Sequence, residues 1–184
     1  MKEKKKADKL LQLAVPVLIV MVLFGIWSAK NKGEESAVAS NQDATASTSA
    51  THPDFILNAV SLDLEQLKSH GLPMMIDFGA DSCIPCKEMA PVLKELNAAY
   101  RGKVIIKFVD VWKDKSLAEG FPLEVIPTQF FFTADGKPFV PKDPDGMRLL
   151  MYSLNDTKEH AYTAHQGGMT KEQILAVFHE MGVR

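Results

Sequence analysis

The sequence predicts an α/β fold for residues 53–184, in which a mixed β-sheet is flanked by helices. One observation behind this prediction is a series of three short β-rich runs at 74–78, 104–111 and 128–133. A second observation is that helical patterns, each with one apolar stripe, alternate with these runs along the chain. The first run is apolar apart from one aspartate, so it predicts a strand that is buried on both faces.

The elements that surround this first strand follow from local patterns. Residues 55–57 predict a short strand, and residues 62–69 predict a helix that Gly71 ends. Residues 86–100 predict a longer amphipathic helix. Pro91 lies inside this helix and predicts a kink, because proline removes one helical hydrogen bond.

The second half of the domain has clear signals at its two ends. Residues 114–119 predict a short helix, and Asp135-Gly136 predicts a tight turn after the third strand. The segment Thr170-Lys171-Glu172-Gln173 matches a capping box, which begins a final helix that runs through Met181. Gly182 is expected to end that helix.

The segment between these signals is predicted to be a β-rich insertion. Residues 147–152 and 160–165 predict two strands on either side of Asn155-Asp156. We therefore expect an insertion at 137–165 that lies on one edge of the sheet, before the last strand and helix.

The amino-terminal part has the pattern of a membrane anchor. Residues 1–9 are rich in lysine, and residues 10–29 are nearly all apolar and about long enough to cross a bilayer once. The lysine cluster predicts a cytoplasmic N-terminus, so the domain at 53–184 is expected outside the cytoplasm. Residues 30–52 are small and polar, which predicts a flexible linker. A cleaved signal peptide with a peptidase site at Ala37-Val38-Ala39 is the alternative, and it leaves the domain in the same compartment.

The 184-residue chain has a net charge of −2, which does not suggest a nucleic-acid partner. The cysteine pair is the sequence feature that indicates a chemical reaction. The chain's two cysteines, Cys83 and Cys86, are separated by two residues at a strand-to-helix junction. Two thiols so placed can open and close a disulfide reversibly, which indicates thiol–disulfide exchange. A structural disulfide explains the pair poorly, because a bridge across so short a loop removes little unfolded-state entropy.

Half of a zinc site is another interpretation of the same cysteine pair. Zinc normally takes four ligands, the sequence has no second CxxC, and none of its five histidines pairs with a cysteine at a tight spacing. We therefore expect no metal site and no cofactor other than the redox-active disulfide between Cys83 and Cys86.

The residues around the cysteine pair match a known pattern. The stretch from Ile76 to Lys87 reads Ile-Asp-Phe-Gly-Ala-Asp-Ser-Cys-Ile-Pro-Cys-Lys, and Pro91 follows inside the predicted helix. Farther along the chain are the strand residue Lys107 and the segment Ile126-Pro127-Thr128. Together these features resemble the thioredoxin family, which has a cis-proline loop at the last of these positions. The resemblance covers 55–184 apart from the insertion.

The resemblance implies a thioredoxin fold and a role for each matching residue. Cys83 would attack a disulfide as a thiolate stabilised at the helix start, and Cys86 would resolve the mixed disulfide. Asp77 would have a pKa raised by burial and would take the proton of Cys86. Lys107 would lie near Asp77 and offset that raised pKa. The implied substrate-binding residues are Ile84, Pro85, Ile126 and the cis-proline Pro127, with the backbone of the cis-proline loop pairing with an extended client.

Two positions depart from the family pattern. Thioredoxins usually have tryptophan immediately before the first cysteine, where this chain has Ser82, and often have a second aromatic residue at the position of Gly79. We therefore expect a less aromatic and more open surface around Cys83. Trp112 is too distant along the chain to be assigned as a replacement.

These patterns predict a membrane-tethered thiol–disulfide oxidoreductase that acts outside the cytoplasm. The reducing direction is preferred, with disulfides of exported proteins as clients and a membrane thiol transporter as the electron donor. Such transporters serve cytochrome c maturation, so apocytochrome c is a candidate client. An oxidase or isomerase of the same fold is the alternative within this class. Outside the oxidoreductase class, there are two further alternatives. One is a chaperone or adaptor that binds a partner through the 137–165 insertion, and the other is a protein that handles metal or haem iron.

Overall fold

The computed structural model of the chain describes residues 52–184. The predicted basic tail and membrane anchor, and all but the last residue of the predicted linker, lie outside the described residues. Within 52–184, no helix combines the length and the apolar character that crossing a membrane requires.

The centre of the domain is a mixed five-stranded sheet with strand order β2-β1-β3-β5-β4. The strands are β1 (Met74–Gly79), β2 (Ile105–Asp110), β3 (Thr128–Phe132), β4 (Leu150–Ser153) and β5 (His160–Gln166). β1 and β2 are parallel, whereas the pairs β1–β3, β3–β5 and β5–β4 are antiparallel. The predicted mixed sheet is confirmed, and β1 is buried along its whole length.

Three α-helices and two short 3-10 helices accompany the sheet. They are α1 (Leu64–Ser69), α2 (Ile84–Ala99), α3 (Lys171–Glu180), and 3-10 turns at Pro53–Phe55 and Lys115–Ala118. Each α-helix begins where the sequence supplies a start signal. The Asp63 side chain accepts from the Gln66 N–H before α1, and the predicted capping box is formed before α3.

The predicted strand at 55–57 is wrong. Pro53–Phe55 forms a 3-10 turn, which Pro53 favours because its fixed φ suits the first position of a helix. The chain reaches the sheet edge only after this turn, where Asn58 makes an isolated parallel bridge to Phe108.

Two apolar cores lie on opposite faces of the sheet. On one face, α2 and α3 cover β1 to β3, and this core includes Met75, Leu93, Phe131 and Phe178. On the other face, α1 and neighbouring loops cover a second core. That second core includes Phe55, Leu67, Ile76, Phe78 and Phe130. Because strand side chains alternate between faces, even-numbered residues of β1 face the second core and odd-numbered ones face α2.

The position of the insertion requires a correction. The prediction placed a last strand after 137–165, but β5 (His160–Gln166) is itself that strand and falls almost entirely within this range. No strand follows β5 before α3 in the described part of the chain. The sequence pattern marked β5 as a strand but could not show that it pairs with β3 in the core sheet. What the segment adds is β4, which lies on the sheet edge, as predicted for a β-rich insertion.

Candidate active site

The two cysteines lie at the start of α2, immediately after the end of β1. Cys83 is the N-cap residue of α2, and Cys86 lies one turn into the helix. A disulfide joins them, with their Cα atoms 5.3 Å apart. Cys83 is 9% exposed and Cys86 only 3%, so Cys83 is the more accessible sulfur. Unpaired backbone N–H groups and the helix dipole at this end of α2 stabilise a thiolate on Cys83.

The first turn of α2 is exposed beside the cysteine pair. Ile84 is 71% exposed and projects beside the cysteine pair. Pro85 lacks an N–H group, which costs nothing in the first helical turn because donors there have no helical acceptor. Pro91 is accommodated within α2, which runs without interruption through it.

The loop before β3 lies against the sulfurs. Ile126 packs against Cys83, Cys86 and Ala80 in a small apolar cluster. The Ile126–Pro127 peptide bond is cis, as predicted. The carbonyl oxygen of Pro127 accepts a hydrogen bond from the Gly167 N–H at 2.8 Å, which fixes the loop against the end of β5.

Asp77 is a fully buried carboxyl group beneath the start of α2. It lies on the same strand face as Gly79, where an added β-carbon would be 3.2 Å from the Cys86 Sγ atom. The Gln129 Nε2 donates to Asp77 Oδ1 at 2.7 Å, and Oδ2 has no hydrogen-bond partner among the described residues. Burial raises the pKa of Asp77 to about 7, and the Gln129 hydrogen bond opposes this rise only in part. A carboxyl group that titrates near neutral pH is suited to proton transfer.

Lys107 does not lie beside Asp77, so the expected partnership is wrong. Lys107 pairs with Ile76 in the parallel register, and Asp77 pairs with Phe108. Paired residues share a face, so Lys107 points to the opposite side of the sheet. Its Nζ donates to the Pro53 and Ile56 carbonyl oxygens, each at 2.9 Å. Burial lowers the pKa of Lys107, and the charge of Asp54 opposes this effect.

This geometry agrees with the comparison of the chain with known proteins. A family model described as thioredoxin matches residues 61–151. A thioredoxin from Staphylococcus aureus is 39% identical over 83 residues, which are 45% of this chain and 78% of the relative. A thioredoxin from Borreliella burgdorferi is 31% identical over 94 residues, or 50% of this chain and 80% of the relative. The chain belongs to the thioredoxin family.

The mixed sheet with its flanking helices is therefore a thioredoxin fold, and the protein is a thiol–disulfide oxidoreductase of this family. Thioredoxin 1 of Chlorobaculum tepidum, another similar protein, is 36% identical over 74 residues, covering 40% of this chain and 72% of the relative. The CxxC pair, the buried Asp77 and the cis-proline loop lie close together, as the resemblance to the thioredoxin family implied.

A second polar centre holds the loop between β1 and α2 of this thioredoxin-family domain. The Asp110 carboxylate accepts backbone hydrogen bonds from Asp81, Trp112 and Lys113 at 3.0 to 3.2 Å. Partial burial raises the pKa of Asp110, but these three donors and the Lys113 charge outweigh it and lower the pKa. Lys113 also pairs with Asp81, so the segment that leads into Cys83 is tied to the end of β2.

This arrangement places Trp112 near the loop before Cys83, which the sequence could not indicate. Trp112 is 65% exposed and lines a groove of about 800 Å³ with Phe121 and Leu123. An exposed aromatic residue is therefore supplied from the end of β2, although Ser82 replaces the tryptophan that usually precedes the first cysteine.

The sequence did not indicate the roles of Gln129 and His165. Gln129 hydrogen-bonds to Asp77, and His165 contacts Gln129. The Gln129 Oε1 lies 3.2 Å from the His165 Nδ1 atom. Both residues are polar positions inside predicted strands, and that was the available signal. Their neighbours depend on strand register, which the sequence pattern does not specify.

Three potential metal ligands also gather in the described part of the chain. One ligand atom from each of His52, Asp54 and His70 lies within 4.8 Å of the others. The Asp54 Oδ2 atom already accepts from Gln66 Nε2 at 3.1 Å and lies 2.7 Å from His70 Nε2. These bonds tie the first 3-10 turn to α1, and we interpret the cluster as structural.

Proposed function

We propose that this chain is a membrane-tethered, extracytoplasmic reductase of disulfides in exported proteins. The observation that carries the proposal is the placement of Cys83 at the tip of α2, with Cys86 more deeply buried and Asp77 beneath them. One sulfur is available to a client, and the other is held ready to displace it.

The proposed reaction proceeds in two exchanges. The Cys83 thiolate attacks one sulfur of the client disulfide, the client S–S bond breaks, and the second client sulfur leaves as a thiol after taking up a proton. Cys86 then attacks Cys83 Sγ, which releases the first client sulfur and forms the Cys83–Cys86 disulfide. Asp77 accepts the Cys86 proton during this second exchange. Two electrons pass from the chain to the client.

The client is proposed to bind as an extended segment beside the sulfurs. The backbone of Ile126 would pair with it, as in strand addition, while the exposed Ile84 side chain and Pro85 would contact it from the helix tip. Pro127 supports this arrangement because it carries no N–H group to face the sulfurs.

The location and direction of electron flow rest on the sequence. The lysine-rich residues 1–9 followed by the apolar residues 10–29 support a single-pass anchor with the domain outside the cytoplasm. A reductase outside the cytoplasm needs electrons from within, so a membrane thiol transporter is the proposed donor. Apocytochrome c is the client that such a system would supply during cytochrome c maturation.

A trapping experiment tests the reaction and its location together. Full-length Cys86→Ser, produced in its host cells, is expected to accumulate exported proteins as mixed disulfides on Cys83. Full-length Cys83→Ser is the control and should trap none. A membrane-impermeant maleimide should label Cys83 of the first variant in intact, reductant-treated cells. Absence of labelling would place the domain in the cytoplasm, and absence of any trapped protein would contradict the reductase proposal.

An adaptor function is the second candidate, and the edge strand β4 is the observation in its favour. Leu150, Met151 and Leu154 are exposed, large and apolar at this edge. A double variant, Cys83→Ser with Cys86→Ser, should lose its partners if exchange is the function and keep them if β4 binds a partner without redox chemistry.

A further inference from the structure

A row of three polar side chains crosses the sheet beneath α2. Asp77 on β1 is directly opposite Gln129 on β3, and Gln129 is directly opposite His165 on β5. All three residues are buried, on the sheet face that α2 and α3 otherwise cover with apolar side chains. Buried polar groups are costly unless they are hydrogen-bonded, so such a row is stable only as a connected network.

The hydrogen bonds give this row a defined direction. Gln129 Nε2 donates to Asp77 Oδ1, so Gln129 Oε1 faces His165 Nδ1. An amide oxygen only accepts, and therefore His165 Nδ1 must carry a proton in this arrangement. The other ring nitrogen, Nε2, is then the atom of His165 that gains or loses a proton.

His165 connects the row to a groove at the carboxyl-terminal end of β5. It lines a groove of about 400 Å³ together with Arg148, Gly167 and Gln173. Burial lowers the pKa of His165, a hydrogen bond with the Gly167 backbone raises it, and the Arg148 charge lowers it. His165 thus lies beside this groove, and burial and the Arg148 charge favour its neutral form.

The two ends of the row differ in the charges that face them. At Asp77, α2 contributes the titratable Cys86 thiol and the uncharged Met89, whose Sδ lies 3.6 Å from Gln129 Nε2, and β2 contributes Phe108. At His165, the loop before β4 contributes the Arg148 guanidinium, and α3 contributes the neutral Gln173. His165 is therefore the titratable group to which Asp77 is linked by hydrogen bonds, through Gln129, among the described residues.

We propose that Gln129 and His165 are positioning residues that link the ionisation of Asp77 to the protonation of His165. When Asp77 is protonated, its O–H group can donate a hydrogen bond to Gln129. The Gln129 amide must then rotate, so that its oxygen accepts from the Asp77 carboxyl and its nitrogen donates to His165 Nδ1. A charged His165 donates from both nitrogens and forbids that rotation. Charging His165 therefore favours the ionised Asp77, the form that accepts the Cys86 proton. This inference rests on the proposed role of Asp77 in the second exchange.

The experiment follows the Asp77 carboxyl directly, by carbon-13 NMR of the full-length reduced chain in detergent across a pH series. Gln129→Met keeps the volume but removes the donor, so the Asp77 pKa should rise by about one unit. His165→Gln retains a donor to Gln129 but does not titrate, so it permits amide rotation at every pH. A smaller rise in the Asp77 pKa is expected for this variant.

A matched histidine on the same strand provides the control. His160 contacts Thr163 Oγ1 and the Tyr162 carbonyl rather than the row, so His160→Gln should leave the Asp77 pKa unchanged. The proposal is overturned if His165→Gln folds and leaves the Asp77 titration as in the parent chain. It is also overturned if His160→Gln shifts that titration equally.

A second readout separates this inference from the proposed function. The pH profile of client reduction should shift in Gln129→Met and His165→Gln by the same amount as the Asp77 titration. If NMR shows the shift but the profile does not move, the linkage stands and the role of Asp77 in the second exchange fails. If neither moves, the linkage itself is wrong.

Discussion

The ring of Phe108 lies 2.8 Å from the point where a β-carbon on Gly79 would be placed. The same point is 3.2 Å from Cys86 Sγ, so Gly79 leaves the space in which the ring and the sulfur meet. Gly79 occupies a position where thioredoxins often have an aromatic residue. Here the Phe108 ring, which comes from β2, fills part of the space near the cysteine pair that the glycine would otherwise leave open. The glycine is required here by close packing rather than by its backbone conformation.

Gly79→Ala is therefore expected to destabilise the domain by about 1–3 kcal/mol, the usual cost of overpacking a core. The Phe108 ring and Cys86 must both shift to admit the methyl group. Urea unfolding of the oxidised chain measures the change. Phe108→Leu in the same chain should recover part of the loss, because it removes the closest atoms. Gly168→Ala is the control, since no atom lies within 4 Å of its added β-carbon.

Asp77→Asn is expected to stabilise the protein at neutral and alkaline pH. The folded chain keeps the Asp77 proton up to a pKa of about 7, while the unfolded chain releases it near 3.8. The stability of the parent chain therefore falls as pH rises through this interval, and the neutral asparagine avoids the loss. The gain at pH 8 should approach about 4 kcal/mol and disappear by about pH 3. Unfolding by urea at several pH values measures it.

Asp54→Asn provides a control of opposite sign. Burial raises the pKa of Asp54, but the His70 and Gln66 hydrogen bonds and the nearby histidines outweigh it and lower the pKa. Its ionised form contributes stability above the unfolded pKa of 3.8, which is lost as pH falls through the folded pKa. Asp54→Asn should therefore lose stability at pH 7. Equal responses of the two variants would contradict the assignment of Asp77 as a destabilised buried acid.

Lys107→Met is expected to weaken the fold without altering the chemistry. The change removes the donor to the Pro53 and Ile56 carbonyl oxygens, at a cost of about 1–3 kcal/mol. The pH profile of client reduction, corrected for the folded fraction, should be unchanged because Lys107 faces away from Asp77. A shifted profile would show that Lys107 does act on Asp77. Lys103→Met is the exposed control and should change stability by less than about 0.5 kcal/mol.

Asp110→Ala is expected to loosen the segment that leads into Cys83. The substitution leaves the Asp81, Trp112 and Lys113 N–H groups without their carboxylate acceptor. We expect a stability loss of about 1–3 kcal/mol and faster amide hydrogen exchange at residues 81–83. Unchanged exchange at these residues would show that the loop is held by other contacts. Asp114→Ala, in the neighbouring 3-10 turn, should leave exchange at 81–83 as it is.

Several elements were predictable because their signals are local. The buried run at 74–78, the capping box at Thr170 and the cysteine spacing each lie within a few residues of chain. The strand at 55–57 was mispredicted because an apolar triplet does not distinguish a strand from a 3-10 turn that follows proline. The predicted insertion at 137–165 was too long because it included β5. Only the pairing of β5 with β3 shows that this strand belongs to the central sheet.

The sequence by itself determined the chemistry of this protein, because a CxxC pair at a strand-to-helix junction, an upstream aspartate and an Ile-Pro-Thr segment are patterns of neighbouring residues. The tertiary structure alone decided which side chains surround Asp77. It brought Gln129 to that carboxyl across 52 positions of sequence and turned Lys107 to the other face. The physical reason is strand register: a shift of one residue exchanges the two faces of a sheet, and no local pattern records it.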